Sequence, residues 1–243
     1  MGLLMNVLLL IVTVVIIYLV FNYFTNTKSV KLSGVKSGTQ LTTVKASQLP
    51  SNKSSNNYAY SIWFYVNNWK HRLADKKILL NRTSNTLDGE SNPLITLAAY
   101  ENNININVST YSLSSDKYSN PNDRDINHEC TIRNFPLQKW VNLIVTLNSR
   151  TLDVYLDGKL IRTCVLPGVA KIDPAADIHI TPNGGFSGQT SNLQYFAHPL
   201  NPQEAYNIYK DGYASFGFGN IFEKYKIKIS YLVDNNEKGN LVI

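Results

Sequence analysis

The sequence predicts an all-β sandwich with one short helix, preceded by a single N-terminal transmembrane helix. Three observations predict it. Residues 3–24 form an almost unbroken apolar run without a charge; strand-length segments with apolar alternation fill the chain after residue 57; and helix-capping chemistry is clearest near residue 201. The chain divides accordingly into a membrane helix at 1–25, a Lys-, Ser- and Thr-rich stalk at 26–57, a β-sandwich at 58–213 and a β extension at 214–243.

The apolar run MGLLMNVLLLIVTVVIIYLVFNYF is interrupted only by Asn6, Thr13 and Asn22. About 20 such residues in a helix cross the ~30 Å hydrocarbon core, and a helix satisfies its own backbone groups there. Tyr18 and Tyr23 sit near the C-terminal end, where amphipathic rings favour the interface. A cleaved secretory signal fits less well: no Lys or Arg precedes the run, the apolar stretch is too long, and Phe-Asn-Tyr-Phe-Thr is a poor cleavage site. Gly2 suits a myristoylation motif, but Asn6 stands where that motif takes Ser or Thr.

The net charge of +6 is unevenly placed. The first acidic residue is Asp75, after Lys28, Lys31, Lys36, Lys45, Lys53, Lys70 and Arg72; beyond residue 74 stand 16 basic and 17 acidic side chains. Lys28, Lys31 and Lys36 therefore flank the apolar run and favour anionic headgroups, at ~1 kcal/mol per charge. Nucleic-acid binding is not expected, because no basic face on a folded module is evident. Basic residues on the C-terminal flank place the large C-terminal part on the cytoplasmic side.

Residues 26–57 carry isolated Val and Leu among polar residues and read as a semi-ordered stalk. Alternation at Val30-Lys31-Leu32 and Leu41–Val44 allows short strands there to dock on the body. The following ~185 residues suffice for one substantial core. Tyr58–Val66 places Tyr60, Ile62, Phe64 and Val66 on one face and Trp63 and Tyr65 on the other, the pattern of a strand covered on both sides. Leu94–Tyr100 and Ile104–Val108 make a hairpin around Glu101-Asn102-Asn103. Val141, Leu143, Val145 and Leu147 alternate inward. Leu152–Leu156 and Lys159–Val165 flank Asp157-Gly158, the type I′ hairpin signal. A two-residue loop then opposes Leu156 with Lys159, Val154 with Ile161 and Asp153 with Arg162, an opposite-charge pair.

Asn201-Pro202-Gln203-Glu204 supplies an N-cap, proline in the first turn and an acid three residues after the cap. Ala205, Ile208 and Tyr209 form its apolar stripe, and Gly212 suits a left-handed stop. The helix is expected to close one end of the sandwich. Ile221–Leu232 alternates again, with Lys224, Lys226 and Lys228 on one face, and reads as an edge or partner-facing strand.

Two runs carry a family resemblance. FPLQKWVNLIVTLNSRTLDVYLDGKLIR, with a Trp opening a strand and Tyr-x-Asp-Gly-Lys in a hairpin, resembles a run of laminin G-like, concanavalin A-like jelly rolls. ADIHITPNGGFSGQTSNLQYFAHPLNPQEAYNIYKDG resembles the closing run of that family, and the likeness covers about residues 55–213. It implies the fold and is nearly silent on activity, because the fold hosts lectins, enzymes and adhesion modules. With the anchor and Lys-rich stalk, the chain looks most like membrane and minor capsid-associated virion proteins of large icosahedral DNA viruses. That resemblance implies an inner virion membrane as location, the C-terminal domain facing the capsid, and capsid proteins as partners.

The residues oppose catalysis. Retaining glycosidases of the superfamily carry Glu-x-Asp-x-Glu, because the chemistry needs two carboxylates ~5–5.5 Å apart; none of the six glutamates here has that spacing. No cofactor is expected. Calcium is admitted by the resemblance, with Asp116, Asp123, Asp125 and Glu129 as weak candidates, although Lys117 and Arg124 interleave them and a solvated polar loop explains the segment as well. His71, His128, His179 and His198 lack ligand spacing. Tyr58, Tyr60, Trp63, Tyr65 and Trp69 suit either core positions or an aromatic glycan platform. Gly184-Gly185 with Gly188 reads as a tight turn. The sequons at Asn52, Asn81 and Asn107 are a weak signal in so Asn-rich a chain. Cys130 and Cys164 are free thiols in a reducing cytosol, yet viruses of the resembled type commonly encode thiol oxidases; a Cys130–Cys164 disulfide across neighbouring strands is the pairing to test. The expectation is a non-enzymatic, membrane-anchored structural protein, the alternative a membrane-tethered lectin-like or adhesion module.

Overall fold

The computed structural model describes residues 9–18, 29–50, 56–84, 90–111, 125–213, 228–233 and 236–242. Residues 9–18, within the apolar run, are helical (α1) with exposed side chains. Among the described residues no helix is long and apolar enough to cross a membrane, and the rest of the expected span lies outside them. In chain order the strands are β1 (Ser29–Leu32), β2 (Lys36–Ser37), β3 (Thr42–Val44), β4 (Tyr58–Asn68), β5 (Lys77–Thr83), β6 (Ser91–Leu97), β7 (Ile104–Tyr111) and β8 (Asp125–Ile132). There follow β9 (Trp140–Asn148), β10 (Thr151–Leu156), β11 (Lys159–Val165), β12 (Ile178–Ile180), β13 (Ser187–Phe196), helix α2 (Pro202–Asp211), β14 (Lys228–Val233) and β15 (Asn236–Val242).

Two antiparallel sheets face each other. One runs β1-β13-β4-β9-β10-β11, with β2 also on β13; the other runs β3-β12-β5-β6-β7-β8. Between them Tyr58, Tyr60, Ile62, Phe64 and Val66 of β4 and Val141, Leu143, Val145 and Leu147 of β9 pack in one core with Leu80, Ile95, Leu97, Ile104, Ile106 and Val108. Each such buried side chain contributes about 1.5–3 kcal/mol relative to exposure.

The segment expected as a stalk supplies strands to both sheets. β1 pairs with β13 from Ser29↔Phe196 to Leu32↔Leu193, and β3 pairs with β12 from Thr42↔Ile180 to Val44↔Ile178. Val44 is buried in the main core, with Val30 and Leu32 packed against it. Between these strands the backbone of Gly38 bonds Gly188 and Phe186, at 2.8 and 3.0 Å. A Cβ there would come within 2.8 Å of the Phe186 carbonyl, so the close approach needs glycine.

Two further expectations are corrected. The Asp157-Gly158 turn forms with φ of 49° and 74°, as a type I′ turn demands, but Ile161 is a bulge. Beyond it Val154 opposes Arg162 and Asp153 opposes Thr163, so the Asp153–Arg162 pair does not form. Asp153 accepts instead from Thr163 Oγ1 at 2.5 Å, while Arg162 reaches the Thr131 carbonyl of β8 at 2.8 Å. Helix α2 does not close an end; it lies on the outer face of the seven-stranded sheet, over Ala59, Ile144, Tyr155 and Phe196. Of the expected strand Ile221–Leu232, residues 221–227 lie outside the described residues; the remainder forms β14, which pairs with β15.

A buried cation ties the second sheet to the first. Arg82 is 5 % exposed and donates to the carbonyls of Ala176 (3.1 Å) and Pro174 (3.4 Å) and to Tyr60 Oη (3.2 Å). Its guanidinium also lies 5.4 Å from the Tyr195 ring. Burial, partly offset by Arg82, pushes the Tyr60 phenol up to about 12, so it remains a neutral partner. Cys130 and Cys164 are joined as a disulfide between β8 and β11, the facing edge strands of the two sheets.

Three outcomes follow for stability. Replacing both cysteines by Ser opens a 34-residue sequence separation and lowers unfolding free energy by about 3–4 kcal/mol, read from the denaturant midpoint; an unchanged midpoint refutes a stabilising bridge. Arg82→Leu strands two carbonyls and costs about 3 kcal/mol or more, against about 1 kcal/mol for Tyr60→Phe. A chain beginning at residue 27 stays soluble and folds cooperatively, whereas one beginning at residue 55 lacks β1–β3, bares β12 and β13 and is less stable by about 3–6 kcal/mol.

Candidate binding groove

The outer face of the seven-stranded sheet is half covered. On its covered half, Trp63 and Tyr65 of β4 and Trp140 of β9 point away from the main core. Trp63 stacks on Tyr209 of α2 with centroids 5.7 Å apart, and Trp140 stacks on Tyr213 at 4.5 Å. Tyr65 meets Trp140 at 5.8 Å. The end of α2 is held by β13: Asn192 donates to the Gly212 carbonyl at 2.9 Å, and Ser191 to that of Tyr213 at 2.6 Å. Gly158 lets the helix approach, since a Cβ there would lie 3.0 Å from Tyr209 Cβ. These rings are therefore spent on packing, and Trp63 is only 5 % exposed, so of the two readings of the aromatics this face shows packing and not an open platform.

Where the helix begins, the covering stops. Asn201 caps α2 by accepting from the Glu204 amide at 2.9 Å, and Glu204 accepts from the Asn201 amide at 2.8 Å. Thr146 Oγ1 accepts from the Leu200 amide at 2.9 Å, which docks this corner on β9. Between it and the edge strand β11 runs a groove of about 700 Å³. Its lining is mixed: Thr151, Asp153 and Thr163 of the β10–β11 hairpin and Asn148 of β9, with Asn201 and Glu204 opposite, alternate with apolar surface from Leu160, Pro199 and Pro202. Burial, then the Asp153 charge, raise the Tyr155 phenol above its ordinary value, so it stays protonated. Hydroxyls and amides beside apolar surface suit a polyhydroxylated or amide-bearing ligand. Both bordering carboxylates already have structural partners, Thr163 for Asp153 and the helix cap for Glu204.

The structure does not bring the other candidates into this groove. Asp116 and Asp123 lie outside the described residues; Asp125 opens β8, and its side chain is not described. Glu129 is exposed on β8 and accepts from Asn107 Nδ2 and Thr131 Oγ1, both at 3.3 Å. Among the described residues no group of three or more His, Cys, Asp or Glu could hold a metal. Lys224, Lys226 and Lys28 lie outside the described residues, Lys228 begins β14, and Lys31 and Lys36 sit on β1 and β2. Sequence reasoning missed the groove. Its only local signals were Thr151, Asp153 and Tyr155 alternating with buried Leu152 and Val154, together with the capping box.

A model of the concanavalin A-like lectin/glucanases superfamily matches residues 36–205. No curated protein matches. Among solved structures, the botulinum neurotoxin serotype D binding domain has a TM-score of 0.53 at 15 % identity, covering 75 % of this chain and 42 % of that one. The binding domain of botulinum neurotoxin DC in complex with SialylT scores 0.53 at 14 % identity, covering 76 % and 46 %. The chain thus spans under half the length of those domains, and the likeness is one of fold. With more than half of its length matched by the family model, the chain belongs to the concanavalin A-like lectin/glucanase superfamily.

Proposed function

We propose that the chain is a membrane-tethered binding module that acts by recognition rather than catalysis. In its finer form the proposal is a virion component that links an inner membrane to a capsid shell, with the sandwich facing the capsid. The observation that carries the binding reading is the employment of the groove carboxylates: Asp153 closes a cross-strand bond and Glu204 a helix cap. Glycoside hydrolysis needs one carboxyl to donate a proton and another to attack or to activate water. The tether is supported by the length and lack of charge of residues 3–24 and by Lys28, Lys31 and Lys36 beside them. The virion role rests on the resemblance of the anchor-plus-jelly-roll arrangement. Lys224, Lys226 and Lys228 are proposed as cationic contacts for an acidic protein partner.

A second reading, glycan recognition, is favoured by the groove beside α2, where Thr151, Thr163, Asn148 and Asn201 present hydroxyls and amides next to apolar surface. One similar fold is seen with SialylT, and another is described as depending on two ganglioside molecules for cell entry of botulinum neurotoxin type C.

The full chain should stay in the membrane pellet after alkaline carbonate extraction, with an intact mass that includes residues 1–24. A chain recovered from residue 25 onward refutes the anchor. Glu substitutions at Lys224, Lys226 and Lys228 together should reduce capture of shell proteins several-fold while thermal unfolding is unchanged. Hydrolysis of any glycan substrate overturns the non-catalytic reading. Specific glycan-array binding, lost in Asn148→Ala with thermal unfolding unchanged, selects the second reading over the first.

A further inference from the structure

The pairing registers fix which end of the sandwich receives the apolar segment. Ser29 opposes Phe196, Phe196 opposes Ala59, Ala59 opposes Thr146, Thr146 opposes Asp153, and Asp153 opposes Thr163. These residues form one row across the sheet, with Thr151 and Val165 paired two residues further toward the same end. At five inter-strand steps of ~4.8 Å, Val165 lies about 24 Å sideways from Ser29 at the same end of the sheet. Only residues 25–28 separate the apolar run from β1. Even fully extended, four residues reach no more than about 14 Å.

That end carries an exposed apolar group. Val165 is 66 % exposed, Tyr111 50 % and Val169 43 %. They are held by both sheets. The Tyr111 amide donates to the Val169 carbonyl at 2.9 Å, and the Lys171 amide to that of Ser109 at 2.9 Å. Arg150 donates to the carbonyls of Leu166 (3.0 Å) and Pro167 (3.2 Å). At Gly168 a Cβ would collide with the Tyr111 carbonyl at 1.7 Å, so the tight approach of this loop to β7 needs glycine. The loop is therefore a fixed projection.

We propose that this end of the sandwich seats on the bilayer that holds the apolar segment, with Tyr111, Val165 and Val169 forming a second contact at the lipid interface. The proposal rests on the membrane-tethered reading. The short connection confines the end to the headgroup layer, a Tyr ring and two Val side chains gain from leaving water there, and Arg150 supplies a cation beside them. Two contacts about 24 Å apart fix the tilt of the domain, which a single flexible tether would leave free. The β4–β5, β6–β7 and β8–β9 loops then face away from the membrane, toward a partner.

The experiment uses the full chain in vesicles of phosphatidylcholine and phosphatidylserine. Single Val169→Cys and Val165→Cys variants carry an environment-sensitive fluorophore, as does Tyr100→Cys at the opposite end, where Tyr100 is 71 % exposed. The native cysteines are bonded to each other and do not compete for the label. Headgroup-level nitroxide lipids should quench the labels at 165 and 169 several-fold more than the label at 100, with blue-shifted emission at 165 and 169 only. Equal quenching at both ends in chains that float with the vesicles overturns the seating and leaves the tether standing. Failure of the chain to float with the vesicles overturns both.

Discussion

Most of the architecture follows from one strand that cannot tolerate water on either side. Tyr58 to Val66 is apolar on both faces, and all but Tyr65 of those residues are buried. Its inward side chains require the second sheet. Its outward Ala59 and Trp63 require a second cover, which α2 and Tyr213 provide. A ten-residue helix is ~15 Å long and spans about three strands, so it cannot cover the whole sheet. The groove over β9, β10 and β11 is the uncovered remainder. The groove and the cover that folding requires are thus two consequences of the same pattern.

The local chemistry was legible and the long-range chemistry was not. The capping box at Asn201, the Asp-Gly turn, the inward alternation of β9 and the two-sided β4 each depend on neighbours in sequence, and each is found where the residues indicate. The jelly-roll class was also legible, through two runs with fixed motif spacing. The placement of α2 was not, because its stripe of Ala205 and Ile208 fits any apolar surface; Phe196, Ile144 and Tyr155 decide where it goes. The bulge at Ile161 escaped for a related reason. A turn sets register only until a tertiary contact offers more, and here Arg162 gains the Thr131 carbonyl on the facing sheet. The groove escaped because polar outward residues on an edge hairpin look alike whether they border a cleft or open solvent.

The lysines near the N-terminus show how a compositional signal changes meaning once pairing is known. Read as a stalk, Lys31, Lys36 and Lys45 are charges on a semi-ordered connection. In the fold, Lys31 lies on β1, Lys36 on β2 and Lys45 directly after β3, where it pairs with Asp177 at 2.8 Å. These strands border the two sheets on one side, and charged residues on border strands oppose pairing with another chain. Lys45 also holds the Asp177 carboxyl below its ordinary range, first by its hydrogen bond and then with the Ala46 amide.

The opposite border is guarded by other means. β11 carries Lys159, Arg162 and a bulge, and its Cys164 is bonded to Cys130 of β8, so both facing edges are tied together rather than offered. Strand addition, which supplies affinity through main-chain hydrogen bonds, needs a straight and open edge. With one side of the sandwich lined by lysine-bearing strands and the other stapled, the sandwich itself offers a partner only the surfaces that lie off its edges. Those are the groove beside α2 and the loop ends of the sandwich; on the proposed binding reading, side chains there, like the lysines near β14, would supply affinity and choice of partner where backbone pairing does not.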